Sequence, residues 1–370
     1  MRRPVILADG FAMGGSSGHV LYDGLENGDY RFISTLRENG FDVILLGFDN
    51  RSASIIDNAG VAIECIRRTI ADREGNAPLA VGGFSMGGLV TRYALAKMER
   101  QKEDHQTATY LSYDTPHRGA WLPLGVQAFA HFVKDKWGDT NPLLSLYSDL
   151  VNSPAARQML RWHVATGTEV TLDVAGGQDQ ERTDFLATLD RLGGWPMRPR
   201  LLGVANGTGT GIGIGNSIPA DDTAMAALGP KANAQLRTQG QGKQTVAQIA
   251  EARQSPVTIN TTGFPELDGA PGGLFPKAPL LEDAANFGMA AVLAALVNEQ
   301  KAELTHNTST FVPTISAVAS AGIDDHTALY AKVNPEESEL HDFLCATTNE
   351  GHTVMTPDLG QWILAKLQEA

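Results

Sequence analysis

"LAVGGFSMGGLVTRYALA", residues 79–96, decides how the rest of the chain is read. Leu79, Ala80 and Val81 form a short apolar run of the kind a buried strand shows. Leu89, Val90, Tyr93, Ala94 and Leu95 recur at helical spacing. Between the two stand Gly83, Ser85 and Gly87, in the frame G-x-S-x-G. That frame predicts a strand turning sharply into a helix with the serine at the apex. Small residues let strand and helix close up, while the serine takes a strained backbone conformation. Its hydroxyl then stands clear of both elements. The unpaired N–H groups and positive dipole end of the helix lie behind it, ready for a developing oxyanion. Ser85 is the candidate nucleophile.

The frame occurs a second time, in "GGSSG" at 14–18 around Ser16. No strand directly precedes it and the surroundings are polar and glycine-rich. Ser16 therefore reads as a loop serine.

Working outward, "PVILAD" (4–9) reads as a first strand, followed by a glycine-rich loop and a helix around 29–39. "FDVILLGFD" (41–49) is a second strand and 56–73 a helix. "ATYLSYD" (108–114) follows the elbow as a fourth strand, "RLLGVANG" (200–207) is a fifth, and "TFVPTISAVA" (310–319) a sixth. The tail predicts a last helix, with Thr356 as N-cap and Pro357 in its first turn. Strands alternating with helices imply an α/β class, with a mostly parallel sheet covered on both faces. Two long excursions interrupt the pattern. Residues 121–199 read as a helical, cap-like insertion. Residues 208–308 read as a loop-rich insertion closed by an apolar helix near 283–300. Neither a repeat nor a strong linker is visible, so the expectation is a single domain over 1–370.

The chain has 370 residues, 42% hydrophobic and 19% charged, which describes a globular protein. A net charge of −13 without any Lys/Arg run argues against nucleic acid or an anionic membrane as partner. Cys65 and Cys345 give neither a disulfide framework nor a metal cluster; they read as two thiols, with a single bridge left open. The start, "MRRPVILADGF", is not a signal peptide. The expectation is a cytoplasmic chain, or a secreted one whose leader has been removed. "FGMAAVLAALV" (287–297) is too short to span a bilayer and reads as a buried helix.

The strand order, "GFSMGG" and "DTPHRGA" together resemble the α/β-hydrolase fold and, within it, bacterial lipases and esterases. The similarity covers the sheet-forming parts, about half the chain. It implies a serine hydrolase of carboxylic esters that works through a catalytic triad and an acyl-enzyme, without a cofactor. A thioesterase, or an acyltransferase with the same triad, is an alternative. So is a non-catalytic binding module on the same fold.

A serine hydroxyl needs a base within hydrogen-bond reach and an acid to orient that base. The resemblance implies a base after the last strand and before the last helix. His352, in "TTNEGHTVMTP", stands there. His341, in "SELHDFL", is nearby and reads as part of a helix or turn. The histidine matching His117 in similar lipases is structural, and the remaining six histidines read as surface or satisfied polar groups. The acid in this fold often follows the second strand beyond the elbow. That strand ends here in Asn206, whereas the first ends in Asp114, a place some similar lipases use. Asp114 is the choice, with Asp221 and Asp222 as alternatives and Asp324 and Asp325 behind them.

The oxyanion hole is expected from the backbone N–H groups of Met86 and Phe11, with Ala12 in reserve. Similar lipases have His-Gly where this chain has Asp9-Gly10. Trp121 and Phe129 open the first insertion on a broad apolar face. That face either packs on the sheet or lines an acyl-binding pocket, so both are candidate substrate-binding residues for an apolar, lipid-like ester. "GTGTGIGIG" (207–215) lacks the spacing and lysine of a phosphate cradle and reads as a loop over the site. The sequence points to no metal site, leaves a structural calcium open, and leaves the oligomeric state undetermined.

Overall fold

The computed structural model describes residues 1–214, 218–275, 290–291, 293–295, 297 and 302–369. The first strands are β1 (Pro4–Ala8), β2 (Asp42–Leu46), β3 (Leu79–Phe84) and β4 (Thr107–Tyr113). Between them lie helices α1 (Gly18–Glu26), α2 (Phe32–Glu38), α3 (Ile55–Asp72) and α4 (Met86–Arg100). The first insertion holds α5 (Leu124–Trp137), α6 (Leu146–Val151), α7 (Pro154–Met159), β5 (Val170–Asp173) and α8 (Gln180–Arg191). Then come β6 (Arg200–Thr208), β7 (Thr223–Leu228), β8 (Ala232–Arg237), β9 (Lys243–Glu251), β10 (Val257–Thr262) and β11 (Gly272–Leu274). After these follow β12 (Glu303–Leu304), β13 (Thr310–Pro313) and β14 (Asp342–Ala346), and the C-terminal helix Pro357–Gln368 closes the chain.

The main sheet has the order β14-β6-β4-β3-β1-β2, with every pair parallel. Alternation along each strand assigns its two faces. Val5 and Leu7 of β1 pack with α2 and the C-terminal helix through Phe32, Leu36, Leu359 and Ile363. Ile6 and Ala8 pack with α3 and α4 through Ile55, Ala59, Leu89 and Val90. A strand covered on both sides must be apolar throughout, and all six residues of β3 are buried. This is the parallel α/β sheet, covered by helices on both faces, that the sequence implied.

Four sequence expectations need correction. Helix α1 occupies part of what read as a glycine-rich loop; the Ser17 hydroxyl accepts the Val20 N–H and starts it. Only the first four residues of 310–319 are strand. They pair antiparallel with β11 in a separate two-stranded sheet, and Thr314–Ala317 turns into helix. The sixth strand of the main sheet is instead β14, beyond His341. It is a half-buried edge strand whose apolar run, Phe343–Cys345, is too short to stand out.

The largest correction concerns the second excursion. It read as loop, yet it carries most of a second sheet, in the order β12-β7-β8-β9-β10-β5. Its sequences are rich in Ala, Gln and Asn, poor strand formers. Packing explains that choice. Ala232, Ala234 and Ala247 lie with Leu236 and Ile249 in the strands that pack against α5, and Ala224, Met225 and Ala227 join the same core. The approach is so close that a Cβ on Gly125 of α5 would lie 2.7 Å from the Val246 carbonyl oxygen. Small side chains are the condition for that contact. The apolar helix expected near 283–300 lies largely outside the described residues. Those described within it are helical, and Ala290, Leu293, Ala294 and Val297 are buried. Cys65 and Cys345 are unbridged.

Candidate active site

The elbow is built as its glycines require. Ser85 has φ 52° and ψ −123°, a conformation costly for any side chain. Its N–H donates to the Tyr113 carbonyl at 2.9 Å, which anchors the apex to the end of β4. A Cβ on Gly87 would lie 2.3 Å from the Ala8 carbonyl oxygen, and one on Gly83 would lie 2.5 Å from the Gly87 carbonyl carbon. Glycine is therefore obligatory at both places through close approach. No hydrogen bond occupies the Ser85 hydroxyl among the described residues. Met86 is the first residue of α4, so its N–H has no intrahelical partner.

The loop after β1 lies against this apex. A Cβ on Gly10 would sit 3.3 Å from the Ser85 Cβ. Asp9 folds the loop onto itself. Its carboxylate accepts the Gly10 N–H at 2.7 Å and the Ser16 hydroxyl at 2.7 Å, and it pairs with Arg51 at 3.4 Å. The Gly10 amide is thereby used, whereas the Phe11 N–H has no partner among the described residues. Ser16 is a latch: its hydroxyl also accepts the Phe48 N–H at 2.9 Å.

Asp114 follows β4 at φ 45° and is fully buried. One carboxylate oxygen lies 2.6 Å from His352 Nδ1, across 238 residues of sequence, and the other accepts the Asn206 N–H at 3.0 Å. His352 is buried, and its Nε2 has no hydrogen-bond partner among the described residues. The Phe311 ring stands edge-on to the imidazole at 5.0 Å, and Phe275 packs on Phe311 at 5.0 Å. Backbone bonds stitch the histidine loop to β11: the His352 N–H donates to the Leu274 carbonyl at 2.8 Å and the Leu274 N–H to the Glu350 carbonyl at 2.9 Å. Asp114's charge is felt nearby. Burial first, and that charge second, push the Cys345 thiol up to about 12. A cavity of about 350 Å³ opens beside His352, lined by Gly24, Gly28, Asp29 and Thr353–Met355.

The other candidates are engaged elsewhere. Asp222 pairs with His306 at 2.9 Å and Asp221 with Arg237 at 2.9 Å, both at the start of β7. Asp324 pairs with Arg161, and Asp325 caps the turn at His326. His341 accepts the Leu201 N–H at 2.8 Å and so pins β14 to β6. His117 is buried between Arg92 at 3.3 Å and the Trp195 ring at 4.8 Å. Burial, and then Arg92, hold its imidazole well below the ordinary range. Trp121 and Phe129 sit in the core between α5 and the second sheet. The Trp121 indole donates to Asp268 and packs on Trp162 at 5.3 Å. Neither lines the cavity beside His352.

Sequence reasoning missed three residues that shape the site. A Cβ on Gly273 would lie 1.9 Å from the Asp114 carboxylate, so only glycine covers the acid. Asn349 holds the loop at 207–215, of which residue 215 lies outside the described residues. Its amide donates to the Ile212 and Gly213 carbonyls at 3.0 and 2.9 Å. Asn206 stood out only as a missing carboxylate, although it touches both Asp114 and the histidine loop.

No family model matches the chain, and no curated protein matches it in sequence. Among solved structures it is similar to the mature lipase of Bacillus licheniformis, at TM-score 0.31 and 14% identity over 58% of this chain and 67% of the lipase. It is similar to a metagenomic carboxyl esterase at TM-score 0.30 and 16% identity, over 55% of this chain and 49% of the esterase. It is also similar to carboxyl esterase 2 of the fungus Tuber melanosporum at TM-score 0.27 and 14% identity, over 54% and 66%. The chain thus spans about half the metagenomic esterase and two thirds of the lipase. At these scores the fold stands on the chain's own strand order and elbow.

Proposed function

We propose that the chain, read as one domain with two insertions, is a serine hydrolase of carboxylic esters with apolar acyl groups. The observation that carries this reading is the buried Asp114–His352 pair at 2.6 Å, whose outer nitrogen Nε2 has no partner among the described residues, together with the strained Ser85. A buried polar atom left unpaired is costly, and a site kept that way awaits a partner that arrives with the reaction.

In this reading Ser85 Oγ attacks the ester carbonyl carbon and its proton passes to His352 Nε2. Asp114 holds Nδ1–H and stabilises the imidazolium. The Met86 and Phe11 amides take the oxyanion. The alcohol leaves with the proton from His352, and the acyl group stays on Ser85. Water, deprotonated by the same nitrogen, then releases the carboxylic acid and restores the serine. Phe311, with Phe275 packed on it, supplies apolar surface beside the imidazole, which favours an apolar acyl group over a charged one. Trp121 and Phe129 stand behind that surface, in the core.

The test is hydrolysis of p-nitrophenyl esters of increasing chain length. The reading predicts measurable turnover that rises from acetate toward medium chains and vanishes in Ser85→Ala. Absence of turnover on every ester, or equal turnover in Ser85→Ala, would refute it.

A further inference from the structure

We propose that Asn206 is a positioning residue, which clamps the histidine loop to the acid from both sides of His352. The inference rests on the triad reading above and adds a residue to it. Asn206 stands near the end of β6, where a carboxylate is often expected in this fold, and the structure gives it three distinct tasks. Its N–H donates to Asp114 Oδ1 at 3.0 Å, opposite the oxygen that meets His352. Its carbonyl accepts the Glu350 N–H at 2.8 Å, two residues before His352. Its side-chain Nδ2 donates to the Val354 carbonyl at 2.8 Å, two residues after His352. Its Oδ1 is buried without a partner among the described residues, which is the cost of the arrangement.

A second donor converges on the same acceptor. The Tyr113 hydroxyl, on the residue before Asp114, reaches the Val354 carbonyl at 2.7 Å. The histidine loop is therefore held by one carbonyl with two donors, each from a strand end that also contacts the acid. This explains why an amide is needed where a carboxylate is common. The Val354 carbonyl offers only lone pairs, so the side chain facing it must donate. A carboxylate there would meet an acceptor and would add a second negative charge beside Asp114. The backbone contacts of Asn206 do not depend on its side chain and remain in Asn206→Leu. The side-chain contribution is the bond to Val354, and its role is to keep the imidazole of His352 in register with Ser85. Misplacement of a base by about 1 Å can cost on the order of 10²-fold in rate.

The experiment uses Asn206→Leu, which matches the shape without the donor, Tyr113→Phe, and the double variant. Each single variant is expected to lower kcat by about tenfold and the double variant by about 10²-fold, with KM within about threefold of wild type. The rate of fluorophosphonate labelling of Ser85 should fall in parallel. In an Asp114→Asn background, Asn206→Leu should slow labelling by less than about threefold, because the pair it serves is already broken. A residue that only stabilises the fold would subtract equally in both backgrounds and would not separate kcat from KM. If Asn206→Leu does not fold, Tyr113→Phe alone carries the same comparison. Wild-type kcat in Tyr113→Phe and Asn206→Leu, or equal losses in both backgrounds, would overturn the proposal while leaving the triad intact. A wild-type protein without labelling or hydrolysis would instead overturn the triad reading beneath it.

Discussion

Ser16 and Ser85 occupy the same five-residue frame, and the structure uses them in opposite ways. The Ser16 hydroxyl donates to Asp9 and accepts from Phe48, so its hydrogen-bonding capacity is spent on its own loop. The Ser85 hydroxyl makes no such bond among the described residues, and a strained backbone holds it at the head of a helix. A hydroxyl saturated by its own loop is a structural latch. One kept empty at a backbone cost of about 1–3 kcal/mol is available for chemistry. The two are linked, because Ser16 fastens the Asp9 loop that lies against Ser85.

The contrast is sharpened most by the acid that serves only one of the two. Asp114→Asn should lower kcat by about 10⁴-fold while circular dichroism stays native. Asp221→Asn and Asp222→Asn should cost less than about tenfold, since those groups pair with Arg237 and His306. A collapse of activity in either of the latter, with Asp114→Asn near wild type, would move the acid and detach Ser85 from its proposed partners.

Next in size is Gly273→Ala. The added methyl would press on the Asp114 carboxylate at 1.9 Å, so the acid must shift away from His352. A loss of about 10²-fold in kcat is expected, with the Ser16 latch untouched. Wild-type turnover in this variant would mean that the acid–base geometry is not what activates Ser85.

Phe129→Ala asks whether the insertion reaches the serine at all. Buried in the core against the second sheet, Phe129 should cost about 3–5 kcal/mol of stability when truncated, measured by urea unfolding. The accompanying loss in kcat/KM should be equal on short and long esters. A loss confined to long esters would place this ring at the acyl group. The smallest effect belongs to Ser16→Ala. Two hydrogen bonds are lost, about 1–2 kcal/mol of stability, with kcat falling less than about tenfold. A larger fall would show that the latch governs the oxyanion loop directly.

What was legible in the sequence was local. The elbow needs two glycines, a serine and flanking apolar runs, all within residues 79–95, and each acts on its near neighbours. The candidates Asp114 and His352 could be named from the places that the resemblance gives acid and base, and the structure brings them within 2.6 Å. What was not legible depended on contacts across the fold. Gly273 is required by a carboxylate 159 positions earlier (273 − 114), and nothing in "PGGLF" signals it. The strands of the second sheet escaped detection because their alanines were chosen to let α5 approach closely, against their own strand propensity. β14 escaped because an edge strand needs only half an apolar face. Tryptophan and phenylalanine at 121 and 129 suggested a pocket, but apolarity alone does not distinguish a lining from a core.

The most direct test of the whole account is where a fluorophosphonate probe attaches. Wild-type protein is labelled, digested and mapped by mass spectrometry, alongside Ser85→Ala and Ser16→Ala. The account predicts a single adduct on Ser85, retained in Ser16→Ala and abolished in Ser85→Ala. An adduct on Ser16, or labelling that persists in Ser85→Ala, would contradict it.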